Sequence, residues 1–225
     1  MKSHDELQEA TGLKRVNIGC GTTPTKGWLN FDNSPALKLA MQPFKFYLAR
    51  SLGLLNRPQL ENIEWNREHS ISFADATKTL PLESSSITCI YTSHMVEHLS
   101  ILGLNQFLLE SLRVLESGGI LRVSVPDLRK AIDEYILDCD ADRFMTGLLV
   151  TAPPINTVTE KLKVLVSGYR HHQWMYDGKS LSKLMSDRGL RNVTIQEPGS
   201  TMIEDAVGLD LHERSEQSLY VEGQK

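Results

Sequence analysis

The chain has 225 residues, 40% of them hydrophobic and 23% charged, which is too apolar for a disordered chain and long enough to bury roughly 70 to 75% of its unfolded surface in one core. With 24 Lys and Arg against 28 Asp and Glu the net charge is -4, so the basic field that nonspecific nucleic-acid binding relies on is absent. No run approaches the roughly 18 apolar residues of a membrane span. The first six residues include charged Lys2, Asp5 and Glu6 where a leader would turn apolar, and Cys20, Cys89 and Cys139 are odd in number and widely spaced, as free thiols are. The expectation is one cytoplasmic domain over 1–225.

Short β-branched runs alternate with helical patterns along the chain. Strands are expected at 15–18, 28–31 (ending at Asp32), 70–74, 87–91, 120–125, 192–196 and 217–222. Leu104, Phe107, Leu108, Ser111, Leu112 and Leu115 recur at helical spacing, and Gly118-Gly119 is expected to close that helix at about Glu116. Asp127 can cap a helix running to about Leu137, and 180–188 reads as a helix ending at Gly189. Strand-helix alternation of this kind builds an α/β, doubly wound, mostly parallel Rossmann-like sheet.

Residues 33–66 break the alternation. From 33 to 60 there is no Asp or Glu, while Lys38, Lys45, Arg50 and Arg57 stand among leucines and phenylalanines. A basic amphipathic helix interrupted near Pro43 is expected, acting as a lid over the cofactor end of the sheet or as a contact with a membrane surface or a protein. Its charge favours an anionic acceptor over a neutral one.

Gly19-Cys20-Gly21 follows the first strand and supplies a tight turn that lets the backbone approach a nucleotide-like ligand, because a Cβ there pushes the ligand away. The third glycine of the dinucleotide fingerprint is absent, and Asp32 comes 11 residues after Gly21 instead of roughly 20 beyond the motif. No full helix fits in that interval. The short loop argues against NAD or FAD and admits a ligand without phosphates, while Asp32 at a strand end is placed to accept hydrogen bonds from ribose hydroxyls.

Four segments occur in a telling order: Val-Asn-Ile-Gly-Cys-Gly at 16–21, Phe-Ala-Asp-Ala at 73–76, Ser-His-Met-Val-Glu-His-Leu at 93–99 and Arg-Val-Leu-Glu-Ser-Gly-Gly-Ile-Leu at 113–121. Together they resemble the class I S-adenosylmethionine-dependent methyltransferases over about residues 15–126. The tail from His172 to Asp177 resembles the type 11-like, small-molecule and sugar-modifying branch. The resemblance implies a seven-stranded sheet with a reversed last hairpin and S-adenosylmethionine as cofactor. It places Gly19, Cys20 and Gly21 beneath the methionine part, Asp32 on the ribose diol, and Asp75 with Ala76 at the adenine amino group. Ser93 and His94 would face the sulfonium and the acceptor. The missing first helix departs from the commonest family pattern.

Two further patterns bear on chemistry. His94-x-x-Glu97-His98 matches the inverted zinc-protease spacing, but no third ligand motif follows it. The expected reading is therefore no metal, with Glu97 and His98 orienting the start of a helix. Residues 169–177 pack aromatic, imidazole and carboxylate groups into a loop, with the segment from 147 to 168 before it as a flexible cover. Methyl transfer to a hydroxyl needs a base that titrates near neutrality, which nominates His94 and His172 as the catalytic pair. The expected function is methyl transfer from S-adenosylmethionine to a small polar acceptor, such as a sugar or sugar-bearing metabolite. A nicotinamide-dependent oxidoreductase and a non-catalytic cofactor-binding scaffold are the alternatives.

Overall fold

In the computed structural model, residues 14–151 and 171–225 are described. Strands β1 (Arg15–Ile18) and β2 (Leu29–Asp32) come first, then helices α1 (Pro35–Ala40), α2 (Pro43–Ser51) and α3 (Arg57–Glu68), and the short β3 (Ser72–Phe73). β4 (Ile87–Ser93) leads through a 3-10 turn, Val96–His98, into α4 (Ile101–Val114) and β5 (Leu115–Pro126). Helices α5 (Leu128–Asp138), α6 (Ala141–Leu148) and α7 (Gly178–Asp187) precede β6 (Arg191–Gln196) and β7 (Ser218–Gln224).

The seven strands form one sheet of order β3-β2-β1-β4-β5-β7-β6. β1 to β5 pair in parallel and β7 lies antiparallel between β5 and β6, so the reversed last hairpin is present. Successive residues of the central strands face opposite sides, as the pleat requires. Val16, Ile18, Ile90, Leu121 and Val123 meet Leu104, Phe107 and Leu108 of α4 and Leu181 and Met185 of α7. On the opposite face Trp28, Cys89, Tyr91 and Ile120 pack with Ile203, Met202, Ala206 and Leu209. Among the described residues no helix lies between β1 and β2, and the irregular chain around 202–209 covers that face. The Trp28 indole fixes it there by donating to the Val207 carbonyl at 3.2 Å.

Two expected boundaries move for a physical reason. The helix ends at Val114 and β5 begins at Leu115, five residues before the expected start. Ile87 pairs with Leu115 and Cys89 with Ile120, so the residues between bulge out of the ladder, with Gly118 taking a φ of +85° that glycine tolerates. The glycine pair thus shapes a bulge and does not close the helix. α7 starts at Gly178, because Asp177 accepts from the Ser180 amide and the Ser180 hydroxyl returns the contact in a capping box.

The insert is three helices. α1, α2 and α3 each begin with proline in the first turn, and α3 carries a full capping box from Asn56 and Gln59. Ala40, Phe46 and Ile63 form its core, while Leu37 packs with Cys20 and Ile71 at the β3 edge. Of the four cations expected to stand alone, Arg50 pairs with Glu64 at 3.1 Å and Arg57 with Glu61 at 2.9 Å. α3 thus returns half of the missing negative charge, and Lys38 and Lys45 keep the positive surface.

Candidate functional site

A cleft of about 820 Å³ opens at the carboxyl ends of β1, β2 and β4, where the strand order reverses between β1 and β4. Open α/β sheets place ligands at that point. The expected residues Gly19, Cys20, Gly21, Asp32, Ala76, Ser93, His94 and His172 all line it.

The glycine loop forms one wall. Gly19 and Cys20 donate their amides to the Phe31 carbonyl at 2.8 and 3.1 Å, which curls the loop over the end of β2. Asp32 fixes it from beneath: Oδ2 accepts from the Gly21 amide at 3.0 Å and Oδ1 from the Ser34 amide at 2.7 Å. The reason for glycine differs at the two positions. At Gly19 φ is +74° and an added Cβ would stand 2.4 Å from Cγ of Met95, so the obstacle is protein. At Gly21 φ is +51° with open space around the Cβ position, the condition for a ligand to come close. Burial, aided by the Asp32 charge, pushes the Cys20 thiol up to about 12, so it lines the cleft as a neutral group.

Asp75 is not among the lining residues. Its carboxylate accepts from the Thr77 amide at 3.0 Å and the Thr77 hydroxyl at 2.8 Å, and Lys78 stands 3.6 Å away. No helix follows it, and the cleft is bordered there by its neighbours Ala74 and Ala76.

The opposite wall is built around Glu97, which is fully buried. His94 stands just past β4 at a φ of +48°, an uncommon conformation outside glycine. Its Nε2 is 3.0 Å from the Ser218 hydroxyl and its Nδ1 is 3.5 Å from Oε1 of Glu97. His172 approaches the same oxygen with Nε2 at 4.0 Å. Burial lowers the His172 pKa against the opposing pull of Glu97. Backbone contacts hold this loop: the Gln173 amide donates to the Glu97 carbonyl at 2.8 Å, and the Gln173 side chain to the His98 carbonyl at 2.7 Å.

The inverted zinc-protease spacing, read above as no metal, holds His94 and His98, but the side chains that come together form a different group. Glu97, His98 and His172 come together, so the third partner lies far along the chain, where no spacing pattern announces it. Other loop residues are placed elsewhere. Tyr176 is fully buried in the core, its phenol pushed up to about 12 by burial and the Glu97 charge, and Trp174 is half exposed. Tyr169, Arg170 and most of the expected cover at 147–168 lie outside the described residues, although Gly147 and Leu149 border the cleft.

Sequence reading missed Met95, Glu213, Arg214 and Gln217, which also line the cleft. The last three sit in a polar stretch without a motif. Tyr91 donates from its hydroxyl to the Glu213 carboxylate, and Tyr220 to the Glu213 carbonyl at 2.6 Å, which holds this stretch over the end of β4. The insert contributes only its first residues, Asn33, Ser34 and Pro35, among those lining the cleft. Its body stands beside the site, not across it.

Residues 16–123 match the family model described as a methyltransferase domain. No curated protein matches the chain. Among solved structures it is similar to a S-adenosylmethionine-dependent methyltransferase from Methanosarcina mazei, at 14% identity, covering 94% of this chain and 92% of that one, with a TM-score of 0.50. It is also similar to one from Archaeoglobus fulgidus, at 16% identity over 100% of this chain and 95% of that one, with a TM-score of 0.49. Residues 16–123, running from β1 into β5, thus carry a methyltransferase domain on a seven-stranded sheet with a reversed final hairpin. The chain's fold is that of the S-adenosylmethionine-dependent methyltransferase from Methanosarcina mazei.

Proposed function

We propose that this chain transfers the methyl group of S-adenosylmethionine to a hydroxyl of a small polar acceptor, a sugar or sugar-bearing metabolite being the leading class. The observation that carries the reading is the placement of His94 and His172 on either side of buried Glu97, across the cleft from the glycine loop. Gly21 and Cys20 run beneath the methionine part, Asp32 meets the ribose, and Ala74 and Ala76 border the adenine. Ser93, whose buried hydroxyl has no hydrogen-bond partner among the described residues, faces the sulfonium.

The sulfonium already supplies the leaving group. The protein's work is to hold the acceptor oxygen in line with the methyl carbon and to take its proton, a contribution of about 10²- to 10⁴-fold for a placed base. As the oxygen–carbon bond forms, the carbon–sulfur pair returns to sulfur and the proton passes to an imidazole. His94, steadied by Ser218 and Glu97, is in position for that step. Arg214 is the one Lys or Arg among the described lining residues, so an anionic group on the acceptor has a partner there.

The outer face of the insert supports a second contact, with an anionic lipid surface. Phe44, Tyr47, Leu48 and Leu52 recur at helical spacing along α2 and its end, from 48% to 80% exposed, beside exposed Lys45.

The test of the enzymatic reading is methyl transfer to a panel of free sugars, sugar phosphates and other hydroxylated metabolites, with calorimetric titration of S-adenosylhomocysteine. His94→Asn is expected to lower turnover about 100-fold or more with cofactor affinity within about threefold. Equal turnover by His94→Asn removes it as the base, and tight binding of NAD in place of S-adenosylhomocysteine overturns the reading.

A further inference from the structure

The Glu97 carboxylate has an environment that its protein partners do not complete. It is fully buried, and neither oxygen accepts a hydrogen bond among the described residues. The two imidazoles facing it stand 3.5 and 4.0 Å away, beyond hydrogen-bond reach. A carboxylate removed from water in this way is stable only beside a cation or a strong donor. One of its oxygens and one ring nitrogen from each of His98 and His172 lie within 4.8 Å of one another.

We propose that Glu97, His98 and His172 bind a divalent transition-metal ion at the acceptor end of the cleft. Two imidazoles and one carboxylate form a three-ligand set of the kind that leaves coordination positions open for water or substrate. Imidazole nitrogen suits zinc, iron or cobalt, whereas magnesium and calcium are held by oxygen. A tetrahedral ion with ligands at about 2.1 Å spaces them about 3.4 Å apart, so the three groups have roughly an ångström to draw in.

The surroundings favour that closure. His98 Nδ1 lies 3.0 Å from the His171 carbonyl, and a carbonyl can only accept, so Nδ1 carries the proton and Nε2 keeps its lone pair. This is the second contact that ligating histidines commonly make. Glu97 and His98 are neighbours on one 3-10 turn, and the Gln173 contacts tie the chain beside His172 to that turn, so the set is assembled by backbone geometry. His94 stays outside the group, with its Nε2 on the Ser218 hydroxyl.

All three ligands line the cleft, so an acceptor hydroxyl can reach an open position of the ion and be acidified there. That role rests on the methyl-transfer reading, whereas the binding of the ion does not. The two are tested separately on the full-length chain, stripped with a chelator and dialysed.

Calorimetric titration with Zn²⁺ is expected to give one ion per chain, and Co²⁺ to give the visible absorption of a four- or five-coordinate nitrogen and oxygen site. At a hundredfold excess over its Kd, zinc is expected to raise the Tm by about 5 to 10 °C. Mg²⁺ at the same concentration is expected to do neither. Glu97→Gln, His98→Ala and His172→Ala should each weaken zinc about 100-fold or more, and His69→Ala, an exposed ring stacked on Trp65, should not. Circular dichroism and S-adenosylhomocysteine affinity establish that each variant is folded, and where Glu97→Gln does not fold, the two histidine variants decide. Absence of stoichiometric zinc, or zinc held equally well by His98→Ala and His172→Ala, overturns the site. Zinc bound as expected without any S-adenosylhomocysteine binding keeps the site and removes its role in methyl transfer.

Discussion

The Asp32 carboxylate accepts a 3.0 Å hydrogen bond from the amide of Gly21, tying the end of β2 to the loop that follows β1. One residue therefore has two duties, holding the loop and, in the proposed site, receiving the ribose hydroxyls. Asp32→Asn keeps an acceptor oxygen and loses the charge, and is expected to weaken S-adenosylhomocysteine about 10-fold. Asp32→Ala loses the loop contacts as well, with an expected total of about 1.5 to 3 kcal/mol, or roughly 10- to 150-fold. Calorimetric titration of both variants checks this, and unchanged affinity in a folded Asp32→Ala removes the residue from the site.

The two loop glycines should separate in their effects. In Gly19→Ala a side chain meets both Cβ and Cγ of Met95 and a φ of +74° disfavours it, so the expected cost is about 2 to 4 kcal/mol, a Tm lower by roughly 5 to 15 °C. Met95→Ala in the same chain should restore the steric part. Gly21→Ala has only the backbone strain to bear, about 1 to 2 kcal/mol, and should show its main effect in cofactor affinity. Thermal melts and titrations of the three variants distinguish these outcomes, and equal melting of both glycine variants contradicts the assignment.

What was legible in the sequence follows the reach of each signal. β1, with its exact bounds, the capped α5, and the break at Pro43 rest on local chemistry, and local chemistry is what periodicity and turn residues report. The early start of β5 was hidden because Gly118-Gly119 reads equally as a helix stop and as a bulge, and only pairing with β4 decides between them. Glu213 and Arg214 reach the cleft through contacts with Tyr91 and Tyr220, which no spacing encodes. The grouping of His172 with Glu97 and His98 is of the same kind, a tertiary juxtaposition across more than seventy residues.

Under the sheet, Arg122 and Glu222 form a fully buried pair at 2.6 Å. Glu222 also accepts from the Thr201 hydroxyl at 2.6 Å and the Met202 amide at 2.5 Å, which anchors the chain that covers the face without a helix. Glu222→Ala leaves an uncompensated buried guanidinium and is expected to cost about 3 to 5 kcal/mol, lowering the Tm by roughly 10 °C or more. Replacing both members by Met and Leu should recover most of that loss in thermal denaturation. If Glu222→Ala melts within a degree or two of the parent, the pair contributes nothing and the covering segment is held by Trp28 and Ile203 instead.

The insert provides the last prediction, and the pairing of Arg50 and Arg57 with α3 changes its form. With only Lys38 and Lys45 of the four cations at 38, 45, 50 and 57 unopposed by a carboxylate, and Arg67 of α3 lying over the Phe46 and Tyr47 rings, charge alone gives little attraction, on the order of 1 kcal/mol for each such cation near an anionic leaflet. The stripe of Phe44, Tyr47, Leu48 and Leu52 must therefore supply the larger share, by entering the headgroup boundary. Cosedimentation with vesicles rich in phosphatidylglycerol is expected for the parent chain. Phe44→Ser with Leu48→Ser should abolish it at any salt concentration, whereas Lys38→Gln with Lys45→Gln should weaken it by roughly 10- to 30-fold at low salt and less at high salt. Phe44, Tyr47 and Leu48 lie away from the cleft, so turnover of a dissolved acceptor should be unchanged in the serine variant. Vesicle binding absent in the parent, or retained in full by the serine variant, would mean that the stripe is an ordinary exposed helix face and that the insert serves only to pack the β3 edge.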